Sequence, residues 1–394
     1  MAATAKLRAL ACALIIALAA PACAQPVRIG LITTLSGPQG LLGQDILDGF
    51  RLALNERGGQ LGGAEIALLT GDDQLKPEIA RQLAEQMIER DHADIITGTL
   101  NSSVLLAIAR PVLDAGRILI SANAGPSQLA GAQCNANFFA IAGQNDVSPE
   151  AMGQYLTSIG VRRVFLLAPN YQAGKDKMAG FRRRFGGQIV GEIDTPFDQL
   201  DYAGPIAEIR RANPDALFEF LPGATGIAFL KQWRQSGLDG KVKLYADRGG
   251  LDETMLAAVG DAAEGAAAAS SWSGSLDNPQ NRHFMQAFRA AHHRAPSLYA
   301  AQGYDTALLL DAAIRANGGK FANSTSFRAA LLHAPAPTLR GTNIRFARNH
   351  FPIDDYYLMT VTRDVDGQYS LATGKRIVAN LVDSYVDQCH LPAD

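Results

Sequence analysis

Asn101, Ser102 and Ser103 are the residues in this 394-residue chain whose types and spacing most directly suggest chemistry. They follow a short apolar, β-prone run, Ile95-Ile96-Thr97, closed by Gly98. They precede Val104, Leu105, Ile108 and Val112, which recur at near-helical spacing. Asn and Ser are favoured helix N-caps. A helix opening near Ser102 or Ser103 offers N–H groups and the positive end of its dipole, which suits an anion. Gly116 stops that helix, Ile118, Leu119 and Ile120 supply the next strand, and a second polar loop begins at Asn123. Strand–helix–strand with short connections implies a parallel pair and a right-handed crossover. Open α/β sheets bind ligands at the carboxyl ends of such strands. The stretch from Asp94 to Leu129 therefore reads as half of a small-molecule cleft. Helix capping alone is the alternative for the two serines.

Catalytic and metal chemistry find no comparable support. Gly37, Gly40 and Gly43 follow a strand at GxxGxxG spacing, not the GxGxxG of a dinucleotide site. Gly174-Lys175 lacks the earlier glycine and the following Ser or Thr of a phosphate loop. His292 and His293 are adjacent, so on a helix they point about 100° apart and do not readily share a metal. Asp72-Asp73 has no oxygen-rich loop for calcium. There is no GxSxG segment, and no cysteine sits in a nucleophile setting. Neither a cofactor nor a metal is expected.

Strands and helices alternate around these loops. Val27–Thr33, Glu65–Leu69, Ile95–Thr97, Ile118–Ile120 and Phe138–Ala140 read as strands. Helices carry Ile46, Phe50, Ala53 and Leu54, then Ile79, Leu83, Met87 and Ile88 after Pro77. After a polar break at Gly143–Asp146 a second series begins. It has a helix from Met152 to Ile159, strands at Val164–Leu167, Ile189–Ile193, Ala216–Leu221 and Val242–Tyr245, and a basic helix with Met178 and Phe181 on its inner face. The small-residue run Gly265–Ala269 leads to Ser271–Gly274, read as a crossing back to the first series. Helices at Asn281–His292 and Ala300–Asn317 follow. Ile344–Phe346 and Tyr356–Val361 read as late strands, and the acidic turn Asp364–Gly367 joins the latter to a final segment. Alternation of this kind makes parallel sheets covered by helices on both faces.

Lys6 and Arg8, an apolar run from Leu10 to Ala20, and Ala22-Cys23-Ala24 make a signal peptide cleaved after Ala24. A retained anchor helix and a lipid-modified Cys23 are the alternatives. The remaining chain of about 370 residues is long enough for two cored lobes. Loss of Lys6 and Arg8 lowers the basic count from 36 against 38 acidic residues, so the mature chain is mildly acidic and has no electrostatic footprint for nucleic acid. Of four cysteines, Cys12 and Cys23 leave with the leader or end it. Cys134 and Cys389 remain, and in an exported chain a pair is expected over two separate thiols.

These motifs, in this order, resemble a known family. Gly30-Leu31-Ile32-Thr33-Thr34-Leu35-Ser36-Gly37-Pro38, then Asp48-Gly49-Phe50, and Asp73 followed by Pro77, Ala80 and Ala84 carry the likeness. So do Ile95–Gly98 with Ser102 and Ser103, and Pro296–Ala300 with Tyr304-Asp305. The chain from 27 to 385 resembles the extracytoplasmic solute-binding proteins of branched-chain amino-acid-type ABC transporters, with the type I periplasmic binding protein fold. That resemblance implies two doubly wound parallel-sheet lobes joined by three crossings, near Ala142–Asn145, Ser271–Gly274 and Asn343–Phe351. Lobe 1 would be 25–143 plus 275–347, and lobe 2 would be 144–274 plus 348–394, after the 1–24 leader.

The resemblance also implies a site. Asn101, Ser102, Ser103, Asn123, Ala124 and Gly125 would grip a carboxylate from the first lobe, with Leu35 and Ser36 as further ligand-binding positions. Tyr171, Pro222, Gly223, Asp247 and Arg248 would face it from the second. Trp272 is expected to pack, and Tyr299, Tyr304 and Asp305 to hold a helix in place. Amino-acid binders carry Thr where this chain has Gly125, and here the acid Asp247 has a cation, Arg248, beside it. Arg suits a carboxylate better than an ammonium. The Ala124–Ser127 segment and the cysteine pair resemble the subgroup that takes up benzoates and hydroxycinnamates. The expected role is a monomeric periplasmic receptor, not an enzyme, that delivers an aromatic carboxylate to the membrane permease of an ABC importer. Branched-chain amino-acid binding, ligand sensing for a membrane receptor, and a secreted amidase or esterase are the alternatives.

Overall fold

The computed structural model describes residues 25–363 and 367–391. The leader and most of the acidic turn at 364–367 lie outside the described residues.

The first sheet has six strands. In chain order the elements are β1 (Val27–Thr33), α1 (Gly40–Asn55), β2 (Gln60–Leu61), β3 (Ala64–Asp72), α2 (Pro77–Glu89), β4 (Ile95–Gly98), α3 (Ser102–Asp114), β5 (Ile118–Ser121), α4 (Ser127–Ala130) and β6 (Phe138–Ala140). The strand order is β2-β3-β1-β4-β5-β6, with β3, β1, β4, β5 and β6 mutually parallel. Strands β4 and β5 are buried along their whole length, the mark of a sheet covered on both faces.

The second sheet is built from α5 (Val147–Ser158), β7 (Arg163–Pro169), α6 (Gln172–Arg184), β8 (Gln188–Thr195), α7 (Ala203–Ala212), β9 (Ala216–Glu219), α8 (Ala224–Ser236), β10 (Lys243–Asp247), α9 (Glu253–Val259) and β11 (Ala267–Ser270). The chain then returns to the first sheet as α10 (Pro279–His292), α11 (Leu298–Ala316) and α12 (Ser324–His333). It ends with the antiparallel strands β12 (Asp354–Arg363) and β13 (Tyr369–Leu381), giving seven strands in the order β13-β12-β11-β10-β9-β7-β8.

Three readings from the sequence change. The alanine run is itself a strand, β11, central in the second sheet. Ile344–Phe346 makes no strand: the surrounding loop holds only isolated bridges, Pro337 with Asn343 and Phe346 with Pro352. The helix read from Met152 opens five residues earlier, at Val147.

Each sheet is packed on both faces. Phe50, Ile95, Phe139, Phe284 and Leu310 share one cluster of the first lobe, and Ile96, Val104, Ile108 and Leu119 lie on its other side. Helices α1 and α11 meet backbone to backbone. A Cβ on Gly49 would lie 1.9 Å from the Ala300 carbonyl oxygen, and one on Gly303 would lie 2.0 Å from that of Ile46. No side chain fits at either position.

The chain passes between the sheets after β6, after β11 and before β12. His350 meets the Phe138 carbonyl at 2.9 Å and stacks on Phe139, and Phe351 packs with Phe138. We therefore propose the third lobe limit after Phe351 and not at 347.

A tail from Asp383 to Cys389 leaves the second sheet and returns to the first lobe, so residues 383–391 do not sit wholly with lobe 2. Asn349 donates to Asp383 and to the Ala130 carbonyl, both at 2.9 Å. Ser384 donates to Glu150 and Tyr385 to Asp146, both on the second-lobe side. Cys389 is disulfide-bonded to Cys134 with Cα atoms 5.7 Å apart, as the sequence suggested. The bond closes a separation of 255 residues. In the chain-entropy model a loop of that size stabilises by at most about 5 kcal/mol. The Cys134→Ser/Cys389→Ser variant should lose about 2–5 kcal/mol in denaturant unfolding; an unchanged midpoint would mean that the bond constrains nothing in the unfolded chain.

Candidate functional site

The carboxyl ends of the parallel strands of both sheets face one cleft. From the first lobe its walls take Gln39, Leu42, Leu100, Ser102 and Asn123, with Tyr299, Gln302 and Asp305 from α11. The crossings supply Ala142–Asn145, Ser271, Trp272 and Arg340. The second lobe supplies Tyr171, Lys177, Phe220, Pro222, Asp247, Arg248 and Tyr356.

Of the residues expected from the sequence to contact a ligand, Ser102, Asn123, Tyr171, Pro222, Asp247 and Arg248 line this cleft, and Leu35, Ser36, Asn101, Ser103, Ala124, Gly125 and Gly223 do not. Asn101 is an N-cap. Its Oδ1 accepts from the Ser103 and Val104 amides at 2.8 and 3.4 Å. The Ser103 and Val104 amides are thus taken up within the helix, and of the three residues it is Ser102 that lines the cleft. Leu35 and Ser36 turn away: the Leu35 amide and the Ser36 hydroxyl bond to Asp72, and Ser36 is exposed. Gln39, four residues after Leu35, takes their place in the wall.

Ala124 and Gly125 pack on the first crossing. The Gly125 amide donates to Asn145 Oδ1 at 3.3 Å, and its carbonyl accepts from the Asn145 amide at 2.8 Å. A Cβ at Gly125 would lie 2.8 Å from the Gly143 oxygen. A threonine side chain would not fit there, so packing by itself accounts for the glycine. Gly223 sits at the mouth with φ +68°, its missing Cβ 3.3 Å from the Pro38 oxygen of the opposite lobe.

The charges pair differently from the sequence reading. Arg248 does not face Asp247. Its Nη2 donates to both Glu253 oxygens at 2.9 and 2.7 Å, and its Nη1 to the Leu251 carbonyl at 2.5 Å. Asp247 Oδ1 accepts from the Gly249 amide at 2.9 Å, and Oδ2 lies 2.9 Å from Lys177 Nζ. The Lys177 ammonium also sits 4.7 Å above the Phe220 ring and 3.5 Å from the Asn145 oxygen. Lys177 was missed because basic residues on a helix usually face water. The available signal was its place, four residues before the buried Phe181 on the same helical stripe.

Aromatic rings make up much of the rest. Tyr171 stacks on Phe220 with centroids 6.2 Å apart and meets Phe197 edge-on at 5.0 Å. Burial, with Asp247 and Asp176 nearby, raises its phenol above the ordinary range, so it stays a neutral donor. Trp272 and Tyr299 were expected only to pack, yet both line the cleft. Tyr304 does hold its helix, donating to Glu56 at 2.6 Å.

A family model described as periplasmic binding protein matches residues 26–368. The chain belongs to that family. A Leu/Ile/Val-binding protein homolog 6 of Brucella melitensis is 25% identical over 314 residues, 77% of this chain and 79% of that one. An ABC-transporter solute-binding protein of R. palustris, solved in complex with benzoate, superposes with a TM-score of 0.87 at 28% identity, covering 93% of this chain and 100% of that chain. A second, from Rhodopseudomonas palustris BisB5 and holding 3,4-dihydroxybenzoic acid, gives 0.84 at 27% identity, covering 90% and 98%. The two α/β lobes are thus the type I periplasmic binding protein fold. Among the described residues no helix is long and apolar enough to cross a membrane.

The lobes of this periplasmic binding protein touch across the cleft. Asn145, on the first crossing, donates to Ser102 Oγ at 3.1 Å in one lobe and to Asp176 Oδ2 at 2.9 Å in the other. Asp176 in turn accepts from the Ser127 hydroxyl at 2.8 Å and the Ser127 amide at 3.2 Å. Asp176→Ala removes this bridge while leaving the cleft wall intact. The ligand-free variant should show a larger radius of gyration in small-angle scattering than the parent, and equal radii would dismiss the bridge as a closing contact.

At the floor, Arg340 Nη1 donates to Asp354 at 3.1 Å, and Nη2 lies 3.6 Å from Asp305. Burial pushes the Asp305 carboxyl up to about 6, against the pull of Arg340 and the Leu339 amide. A carboxyl raised in the folded state binds its proton more tightly there than when unfolded. Its contribution is present below about pH 4 and is lost as pH rises through about 6. Asp305→Asn should therefore flatten the fall in unfolding free energy over that window, and an unaltered slope would assign it to other groups.

Proposed function

We propose that this protein is an exported receptor, not a catalyst, that closes on an aromatic carboxylate and presents it to the membrane permease of an ABC importer. The observation that carries this reading is the cleft wall. Tyr171, Phe220, Trp272, Tyr299 and Tyr356 surround it, and the carboxylates that line it are each matched by a protein cation. An apolar ring is thus favoured, and a ligand cation finds no unmatched acid. The ligand carboxylate would sit near the Ser102 hydroxyl and the Asn123 amide, with the Tyr171 phenol and the Gln39 amide as further donors. Structural relatives that hold benzoate and 3,4-dihydroxybenzoic acid support the same class. In this reading the leader expected at 1–24 is cleaved and the mature chain acts as a monomer in the periplasm.

A second reading, branched-chain amino acids, is favoured by the name of the Brucella relative and by Leu42, Leu100 and Leu298 in the wall. Titration calorimetry with benzoate, 4-hydroxybenzoate and 4-hydroxycinnamate beside Leu, Ile and Val decides between them. Heat and a raised melting temperature with the aromatic acids alone are expected. Binding of Leu or Val alone would overturn the proposal. Ser102→Ala should weaken the aromatic acid by about 10- to 100-fold, the cost of one hydrogen bond to a charged group.

A further inference from the structure

We infer that Lys177 sets the charge type of the ligand: it acts as the built-in cation of Asp247, so the cleft accepts carboxylates and rejects ligands that carry an ammonium beside the carboxylate. The inference rests on the aromatic-carboxylate reading and narrows it.

Two carboxylates line the cleft, Asp247 and Asp305. Asp305 accepts from the Leu339 amide at 2.9 Å and faces Arg340. Asp247 has one oxygen on the Gly249 amide, and the other forms an ion pair with Lys177 Nζ at 2.9 Å without a hydrogen bond to any group. An ammonium has three donors. Those of Lys177 have three acceptors around them: Asp247, the Asn145 carbonyl and the face of Phe220. Its side chain is only 13% exposed and that of Asp247 only 3%, so the pair is poorly screened by water. Breaking a buried pair is costly because it strands the remaining charge. A second ammonium at Asp247 would either displace Lys177 or sit beside it as a like charge. Arg248 cannot substitute for Lys177, because Glu253 and the Leu251 carbonyl hold it. With this pair closed, no acid is left for a ligand cation, and the groups left to greet a ligand are chiefly Ser102, Asn123, Gln39 and Tyr171, with Arg248 Nε and Arg340 Nη2 as unbonded cationic donors.

The test compares benzoate with L-phenylalanine, an aromatic carboxylate that adds an ammonium. Calorimetry is run on the mature full chain, its Lys177→Met variant and the Lys177→Met/Asp247→Asn double variant, with folding checked by circular dichroism. The parent should bind benzoate and reject phenylalanine. Lys177→Met should bind phenylalanine at least about 10-fold more tightly than the parent does and bind benzoate more weakly, because Asp247 is then free to take a cation. The double variant should lose the gain in phenylalanine binding. A folded Lys177→Met variant with no gain overturns the inference while benzoate binding by the parent keeps the functional reading. A parent that binds phenylalanine or leucine and not benzoate overturns the functional reading itself. Should Lys177→Met fail to fold, Asp247→Asn alone probes the same balance. It leaves Lys177 unmatched, so benzoate binding should tighten by about 10-fold, and an unchanged benzoate affinity overturns the inference.

Discussion

A charge held in a cleft that closes must meet its opposite inside the protein, because closure removes the water that would otherwise solvate it. That constraint organises the site. Lys177 joins α6 to the end of β10, Arg248 joins the turn after β10 to α9, and Arg340 joins α11 to β12. The Lys177 and Arg340 pairs tie together elements distant in sequence, whereas the Arg248–Glu253 pair closes a local turn. The Arg340 cluster sits where the lobes meet, so the hinge is charge-matched as well as the wall. Internal matching of this kind leaves hydroxyls, amides, ring faces and the unbonded nitrogens of two arginines, but no open acid, as the surface a ligand touches.

The same crossing that carries the chain between lobes carries hydrogen bonds between them. Asn145 contacts Gly125 and Ser102 on one side and Asp176 on the other, and its carbonyl lies within reach of Lys177. A ligand that engages Ser102 therefore acts on a residue already coupled to the contact between lobes. Ligand preference for a closed arrangement requires a differential contact of this type.

Most of the architecture was legible because parallel strands covered on both faces must be apolar throughout, and their runs stand out between Gly- and Pro-rich loops. The alanine run at β11 was not legible as a strand. Small residues carry little β signal, and its burial comes from neighbours on both sides. Ile344–Phe346 failed for the opposite reason, since β-prone side chains there serve packing against the first lobe without a strand partner. At the site, the loops that carry it could be read from the order of strands and helices, but which side chain of a loop turns inward could not. Leu35 and Ser36 turn toward Asp72, while Gln39 turns into the cleft. Charge pairing was least legible. Adjacent Asp247 and Arg248 invite pairing on paper, but the turn between them sends Arg248 to Glu253 and leaves Asp247 to a lysine seventy residues earlier in the chain.

The bond between Cys134 and Cys389 makes the whole second lobe part of a covalent ring whose two ends are both anchored on the first. A protease that nicks any loop inside that ring opens the chain without releasing a fragment, and the two pieces stay joined until the sulfurs are reduced. Synthesis also gives the ring an order of assembly. Cys389 follows the last strand of the second sheet in chain order, so the bond closes only after the residues of both lobes have been synthesised.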